Sequence, residues 1–293
     1  MKSKKVERVR FAVIGGSGLY KIPSIRDLKE IQVKTPFGPP SAPIALGTIG
    51  GVRCAFLPRH GRGHRFLPTE LPSKANIYAL KSLGVERILS MGAVGSLKEE
   101  LPPRHFVFPD QLVDETRHRN STFFGEGLVA HIAFAHPFCD NLSDALFAAA
   151  KKIGIKATRG GTYCCMEGPQ FSTRAESEMH RRQGYSIIGM TAAGVGKLAR
   201  EAAICDSPVA MVTDYDCWKE EDEVSTKKVI EHLMANVGNA QKLIEASLPI
   251  LAGGPTSCAC NDGLKGAVFT QPDAINKKTV KRLELLIRKY VKD

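Results

Sequence analysis

Two carboxylates one residue apart, Asp214 and Asp216, close the short apolar run in Pro208-Val-Ala-Met-Val-Thr-Asp-Tyr-Asp-Cys-Trp218. If the backbone stays extended there, side chains two apart point the same way and both carboxylates face one pocket. Carboxylates that close resist ionising together, so one holds a proton near neutrality and can donate it. Such a donor suits a weakly basic ring as leaving group. Three other stretches offer anion ligands. Gly15-Gly16-Ser17-Gly18 carries a hydroxyl and free amides, and Met91-Gly92-Ala93-Val94-Gly95-Ser96 is a second small-residue turn that lets backbone approach a ligand. Pro58-Arg59-His60-Gly61-Arg62-Gly63-His64-Arg65 holds five cationic or imidazole side chains and no acid, a set that asks for an anion. With Thr191, these could converge on one phosphate, while Phe171 offers a ring face for a heterocycle to stack on. Neither dinucleotide nor P-loop signature is complete, since Lys21 stands at the third glycine and no Gly-Lys-Ser/Thr follows.

These residues need strand ends to hold them. Phe11 to Ile14 reads as a strand, and Ile44 to Thr48 with Val52 to Leu57 as a hairpin around Gly50-Gly51. A helix is expected from Ser73, as its cap, to Leu83 with Gly84 as its stop, then a strand from Arg87 to Ser90. From Ser121 periodicity is lost, and His131 falls in what reads as a long functional loop or an interface. A helix follows over Ser143 to Ile153. Strand (Gly160 to Met166), helix (Thr173 to Gln183), strand (Ser186 to Gly189), helix (Gly196 to Ala203) and strand (Val209 to Val212) then form a βαβαβ run, which implies a mainly parallel sheet. A long helix over Thr226 to Ser247 and the linker Ala252 to Pro255 complete the body. Three parts result: a basic tail over 1–8, one α/β domain over 9–251, and a 252–293 segment with Cys258-Ala-Cys260 and an amphipathic basic helix. The expected architecture is a mixed, largely parallel central sheet flanked by helices.

The 293 residues carry a formal net charge of +11. Basic excess of +4 over residues 2–10 and +5 over residues 277–293 accounts for most of it, so the body is nearly balanced. Charge confined to the ends reads as solvated surface and makes a nucleic-acid partner unlikely as the function. No run of eighteen apolar residues and no leader is visible, which argues against a membrane partner. The eight cysteines are scattered in apolar contexts and read as reduced thiols of a cytoplasmic protein, the nucleus being the alternative. Cys258-Ala-Cys260 could bind a metal or cycle as a disulfide, but no second Cys or His pair stands at ligand spacing nearby in the chain. It is read as mildly redox-active at most, and no metal is assigned.

Five ordered motifs then carry a resemblance: Gly15 to Leu19, Arg59-His-Gly-Arg62, Glu167-Gly-Pro-Gln-Phe-Ser-Thr-Arg-Ala-Glu176, Gly189-Met-Thr191 and Thr213-Asp-Tyr-Asp-Cys-Trp-Lys219. Over roughly residues 9 to 250 the chain resembles the trimeric purine nucleoside phosphorylase family, and within it the branch that cleaves methylthioadenosine. The resemblance implies a homotrimer with sites near subunit contacts, no cofactor, and inorganic phosphate as co-substrate. It implies that Ser17, Arg59, His60, Gly92, Ala93 and Thr191 bind phosphate and that Met190 lines the ribose. Phe171, with Ser172 and Tyr215 nearby, would pack on the base, and Asp214 and Asp216 would hold N7 and the exocyclic amine. Thr226, Val229 and Ile230, with His131 from a neighbouring subunit, would receive the 5′ methylthio group.

Relatives acting on 6-oxopurines carry Asn and Glu where this chain has Asp214 and Ser172. An acceptor carboxylate suits the amine of adenine, so adenine is the expected base. The expected reaction is phosphorolysis of methylthioadenosine. Its nearest rival is the same reaction on 6-oxopurine nucleosides or methylthioinosine. A glycosidase with opposed carboxylates fits poorly, since Asp214 and Asp216 would share one face. The rival of another class is a weakened binding protein tethered to RNA by basic ends. Three departures from the family pattern stand out. Ala192-Ala193-Gly194-Val195-Gly196 replaces a usual Pro-Glu helix start, which predicts a less rigid loop behind Thr191. Gln170 replaces an Arg, and Gly189 an Asn.

Overall fold

The computed structural model describes residues 8–16, 19, 22–219 and 226–291, the last span without the side chains of 226–229. Its centre is β1 (Phe11–Gly15), buried at every position and paired in parallel with β4 (Val52–Pro58) on one edge and β5 (Arg87–Ser96) on the other. An all-apolar strand of this kind is what a sheet covered on both faces requires. The predicted hairpin is present: β3 (Ile44–Ile49) runs antiparallel to β4, and Gly50 and Gly51 turn with φ of 55° and 78°. Two successive positive φ values are the turn that matches strand twist, and glycine adopts them without strain. β2 (Arg26–Ile31) adds an outer antiparallel strand.

β5 governs the rest. Expected to end at Ser90, it continues to Ser96, so the small-residue turn predicted over 91–96 is strand instead. The reason is its partner: β11 (Cys205–Asp214) runs parallel to it from Arg87 to Gly95. β1 pairs only with Arg87 to Ser90, and β10 (Ile187–Gly189) joins antiparallel at Gly95 and Ser96. The sheet therefore forks at residues 91–94, and Gly92 and Ala93 lie in the opening. β9 (Thr162–Cys165) is parallel to β10 and to β7 (Gln111–Asp114), while β6 (Phe106–Phe108) pairs with β11 and with β8 (Ala157–Arg159). The expected βαβ step from β9 to β10 is correct, but β10 and β11 are not neighbours. They flank the far half of β5, which bends the mixed sheet around the site.

Helices cover both sides. α1 (Ser73–Ser82) begins with Ser73 inside the helix and Pro72 as its cap, and Gly84 stops it at φ 87°. α2 spans Asp140–Lys152, and α3 (Arg174–Arg182) opens with a reciprocal cap in which Thr173 and Glu176 satisfy each other's amides. α4 (Ala192–Glu201) starts four residues earlier than the glycines suggested. α5 (Thr226–Gly253) runs past Pro249 to Gly253, so Ala252 and Gly253, read as linker, are its last turn. α6 (Lys277–Ile287) is the amphipathic basic helix. Its Leu283, Leu286 and Ile287 share a core with Ile77, Leu80 and Leu198, and Phe123, Phe124 and Leu128 anchor the irregular 115–139 stretch in that same core. Two of the basic side chains near the C-terminus are paired, Arg282 with Glu126 at 2.6 Å and Lys289 with Asp262 at 2.5 Å. Among the described residues, no helix is long and apolar enough to cross a membrane.

Candidate active site

The fork in the sheet carries two sets of polar groups. The first surrounds Gly92. Arg59, just past the end of β4, is buried, and its Nη2 donates to Met91 O at 3.2 Å across the fork. Its Nε has no partner although buried, so the guanidinium keeps an unsatisfied donor. A side chain at residue 92 would place its Cβ 3.2 Å from Arg59 Nη2 and 3.7 Å from Thr191 Oγ1, so glycine there leaves both groups room. A small cavity of about 30 Å³ lined by Arg59, Ser73, Asn76, Arg119, Thr191 and Gly194, among others, opens at this end. His60 Nδ1 lies 2.9 Å from Phe66 O, which fixes the proton on Nδ1 because a carbonyl only accepts. Burial, then the neighbouring Arg59 charge, hold its acidity at about 4, so the ring is neutral and Nε2 is an acceptor. It suits the hydroxyl of a hydrogen phosphate.

The five-cation loop is less uniform than its sequence. Arg62 pairs with Glu30, so the cluster does find one counter-charge, and His64 stacks on His60 with centroids 4.2 Å apart. Arg59 and His60 alone are turned inward. Ser17, the third expected phosphate ligand, lies outside the described residues, as do the side chains of Thr226 and Val229.

The second set surrounds Gly95, three residues further along β5 and therefore about 10 Å away. A Cβ at Gly95 would lie 3.0 Å from Asp214 Oδ1 and 3.3 Å from Asp216 Cβ. The two carboxylates are brought together as expected, but not by extended chain. β11 ends at Asp214 after a bulge, and Asp216 turns to φ 52° with its N–H donating 2.9 Å to Asp214 Oδ1. A positive φ at an aspartate inside such a turn is strain held by the surrounding structure. Thr213 Oγ1 is 2.7 Å from Asp214 Oδ2. Burial raises the Asp214 carboxyl to about 6. Asp216 is also raised by burial, with Ser177 and Ser172 standing against it, and its Oδ2 is buried without a partner. Asp214 can carry the proton and Asp216 offers an unsatisfied acceptor.

Other expected residues divide. Phe171 is 56% exposed, leaving a ring face open. Met190 packs on Gly168, where a Cβ would lie 2.5 Å from its sulfur. Tyr215 does not join the carboxylates: its ring is buried edge-on to Trp218 and its hydroxyl donates to Glu99 O at 3.2 Å. Ile230 is 52% exposed. His131 is exposed and sits edge-on to Phe269, 5.0 Å between centroids, on the C-terminal segment.

Two residues went unnoticed in the sequence. Arg119 donates from Nε to Glu167 Oε1 at 2.6 Å and from Nη1 to Met190 O at 2.8 Å, tying the loop before Phe171 to the residue before Thr191. Burial opposes ionisation of Glu167, yet the amides of Arg117 and His118 and the Arg119 charge hold its carboxyl down at about 2. Tyr163, buried on β9, stands close enough to the backbone and side chain of Thr191 for both to act on its hydroxyl. Gly189 makes this possible, since a Cβ there would fall 2.0 Å from the Tyr163 hydroxyl oxygen. A tyrosine 28 positions upstream of its partner leaves no local signal. The 192–196 stretch is not a loose loop: it is the first turns of α4, with Ala192, Ala193, Val195 and Gly196 buried. Gly196 packs on Phe138, where a Cβ would stand 3.2 Å from the ring.

Comparisons with known proteins identify the family. The chain is 51% identical over 288 residues to an S-methyl-5′-thioadenosine phosphorylase of Gloeobacter violaceus, covering 97% of this chain and 96% of the relative. It is 49% identical over 284 residues to that of Koribacter versatilis, covering 97% of each. A crystal structure of a methylthioadenosine phosphorylase from an antarctic soil metagenomic library superposes with a TM-score of 0.92 at 44% identity, covering 96% of this chain and 99% of that one. The Schistosoma mansoni methylthioadenosine phosphorylase in complex with adenine gives 0.81 at 32% identity, covering 98% and 100%. The phosphorylase superfamily profile matches residues 10–249, and the chain belongs to that family.

Proposed function

We propose that this protein cleaves S-methyl-5′-thioadenosine with inorganic phosphate, giving adenine and 5-methylthioribose 1-phosphate. The observation that carries the reading is the pair at Gly95: a buried Asp214 carboxyl held at about 6 beside an Asp216 oxygen with no partner. A carboxyl raised to about 6 holds its proton on a working fraction of molecules near neutrality and can give it to N7, and a free carboxylate oxygen can take a hydrogen from the 6-amine. The relatives that carry this name support the substrate.

Phosphate at the Arg59 and Thr191 end attacks C1′ as the bond to N9 breaks. The bonding pair moves into the purine, and Asp214 supplies the proton that makes adenine neutral. The sugar gains positive charge in the transition state, next to an anion fixed by Arg59, His60 and Thr191. Glycines at 92 and 95 keep the strand between the two sets low enough for a ribosyl ring to lie across it. The 5′ side is assigned to the start of α5, with Ile230 and, from a neighbouring copy in a homotrimer, His131. The exposed Phe269 beside His131, 64% accessible in the single chain, supports that contact. No cofactor takes part in this reading. A place in purine and methionine salvage, in the cytoplasm, is part of this reading.

Base release from methylthioadenosine, adenosine and inosine, each with and without phosphate, tests the reading. Phosphate-dependent release of adenine, fastest from methylthioadenosine, is expected. Preference for inosine would transfer the site to 6-oxopurines, and no release from folded protein would refute phosphorolysis.

A further inference from the structure

Four cysteines from three parts of the chain meet at the opening of β11, the end of that strand away from Asp214. Cys205 opens β11, Cys139 caps the N-terminus of α2, and Cys258 and Cys260 lie in the short turn after α5. All four sulfurs lie within 4.8 Å of one another, Cys139 to Cys258 at 3.5 Å. We propose that these four thiols form a tetrahedral zinc site that fastens the segment after α5 to the body of the protein.

The geometry fits the ion. Four thiolates about 2.3 Å from a zinc ion stand about 3.8 Å from each other, so the quartet needs only small adjustment to close on a metal. An all-sulfur set of this shape selects zinc over hard cations. The turn that presents Cys258 and Cys260 is held firmly: Asn261 Oδ1 accepts from Cys258 N at 2.9 Å, and the Asn261 N–H donates to Cys258 O at 2.9 Å. Gly263 presses the turn onto α4, since a Cβ there would lie 2.7 Å from Arg200 O. Zinc with four thiolates leaves two negative charges. Arg200 stands close enough to Cys260 to act on its thiol, and the amide of Leu142 in the first turn of α2 reaches Cys139. A cation and helix amides beside the sulfurs offset that charge. Leu142, Leu251 and Val209 belong to the apolar cluster that includes three of the four cysteines, which shields the site.

The alternatives are a patch of buried thiols and a pair of disulfides. Metal analysis of the full-length protein, purified without chelator, separates them, together with thiol titration in denaturant and cobalt substitution. One zinc per chain is expected, retained through gel filtration, with eight titratable thiols after denaturation in chelator. Cobalt should give the visible bands and near-ultraviolet sulfur charge transfer of a tetrahedral thiolate site. Cys258→Ser with Cys260→Ser should abolish metal retention and lower Tm while turnover persists, and Cys54→Ser should keep the zinc. Metal-free protein that binds neither zinc nor cobalt under reduction would overturn the proposal, whether its thiols are free or paired. Zinc retained by the double variant would do the same.

Discussion

Replacing Asp214 with Asn removes the proton donor while keeping the shape, so it isolates the acid role. Burial holds the Asp214 carboxyl at about 6, and only the protonated form can donate. In the wild type, kcat/KM for methylthioadenosine, which follows the free enzyme, should be level below about pH 6 and fall above it. General acids contribute roughly 10²- to 10⁴-fold, so the variant should lose about 3–5 kcal/mol of transition-state stabilisation. Its residual rate should no longer depend on this ionisation. Asp216, the acceptor for the 6-amine, is unchanged, so methylthioadenosine should stay preferred over inosine. Initial rates of phosphate-dependent base release over pH 5 to 9, with both nucleosides, measure every term. A variant that keeps the wild-type rate and the wild-type pH profile would refute Asp214 as the acid and move the role to Asp216.

Three further outcomes follow from particular contacts. Tyr163→Phe removes the hydroxyl that holds Thr191; losing one hydrogen bond of about 1 kcal/mol should raise KM for phosphate about 5-fold, with KM for the nucleoside nearly unchanged. Gly95→Ala places a methyl 3.0 Å from Asp214 Oδ1, so kcat should drop by at least about 10-fold while Tm, read by calorimetry, moves little. Asp206 is buried near Arg59 and Cys139, and burial raises its carboxyl from 3.8 to about 7. Because the folded state favours the protonated form, its penalty is absent below pH 4 and grows as pH rises towards 7. Asp206→Asn should match the wild type at pH 4 and exceed it by as much as about 4 kcal/mol at pH 8 in denaturant titrations.

The buried strands and the ligand motifs were legible because each is a local pattern. Val209 to Val212 is apolar enough to be only a core strand, and Asp214 follows it whatever the rest of the fold does. Long-range partners were not legible. Met91 to Ser96 has the small residues of a turn, and nothing nearby in the sequence says that β11 will pair along it and hold it extended. Spacing rules for metal ligands see Cys258 and Cys260, but not Cys139 and Cys205, which are brought in by α2 and β11. Tyr215 was set near the base by resemblance alone, and its hydroxyl bonds to Glu99 O.

The departures at Gly189 and at 192–196 have one physical account. Taken singly, glycines at 189, 194 and 196 and the loss of a proline predict a softer support for Thr191. In the fold the missing side chains are the space that other groups fill: the Tyr163 hydroxyl occupies the place of a Cβ at 189, and the Phe138 ring lies against Gly196. Thr191 is then held by Tyr163 from β9, while α4 begins immediately after it and Arg119 clamps the carbonyl of Met190 at 2.8 Å. Rigidity that the sequence of the helix start does not supply comes here from side chains of other elements. A glycine costs about 1 kcal/mol in an isolated helix through the freedom of the unfolded chain. It does not loosen the folded site when its neighbours close the gap. The position of Thr191 therefore depends on Tyr163 and Arg119 more than on the residues of the 192–196 turn.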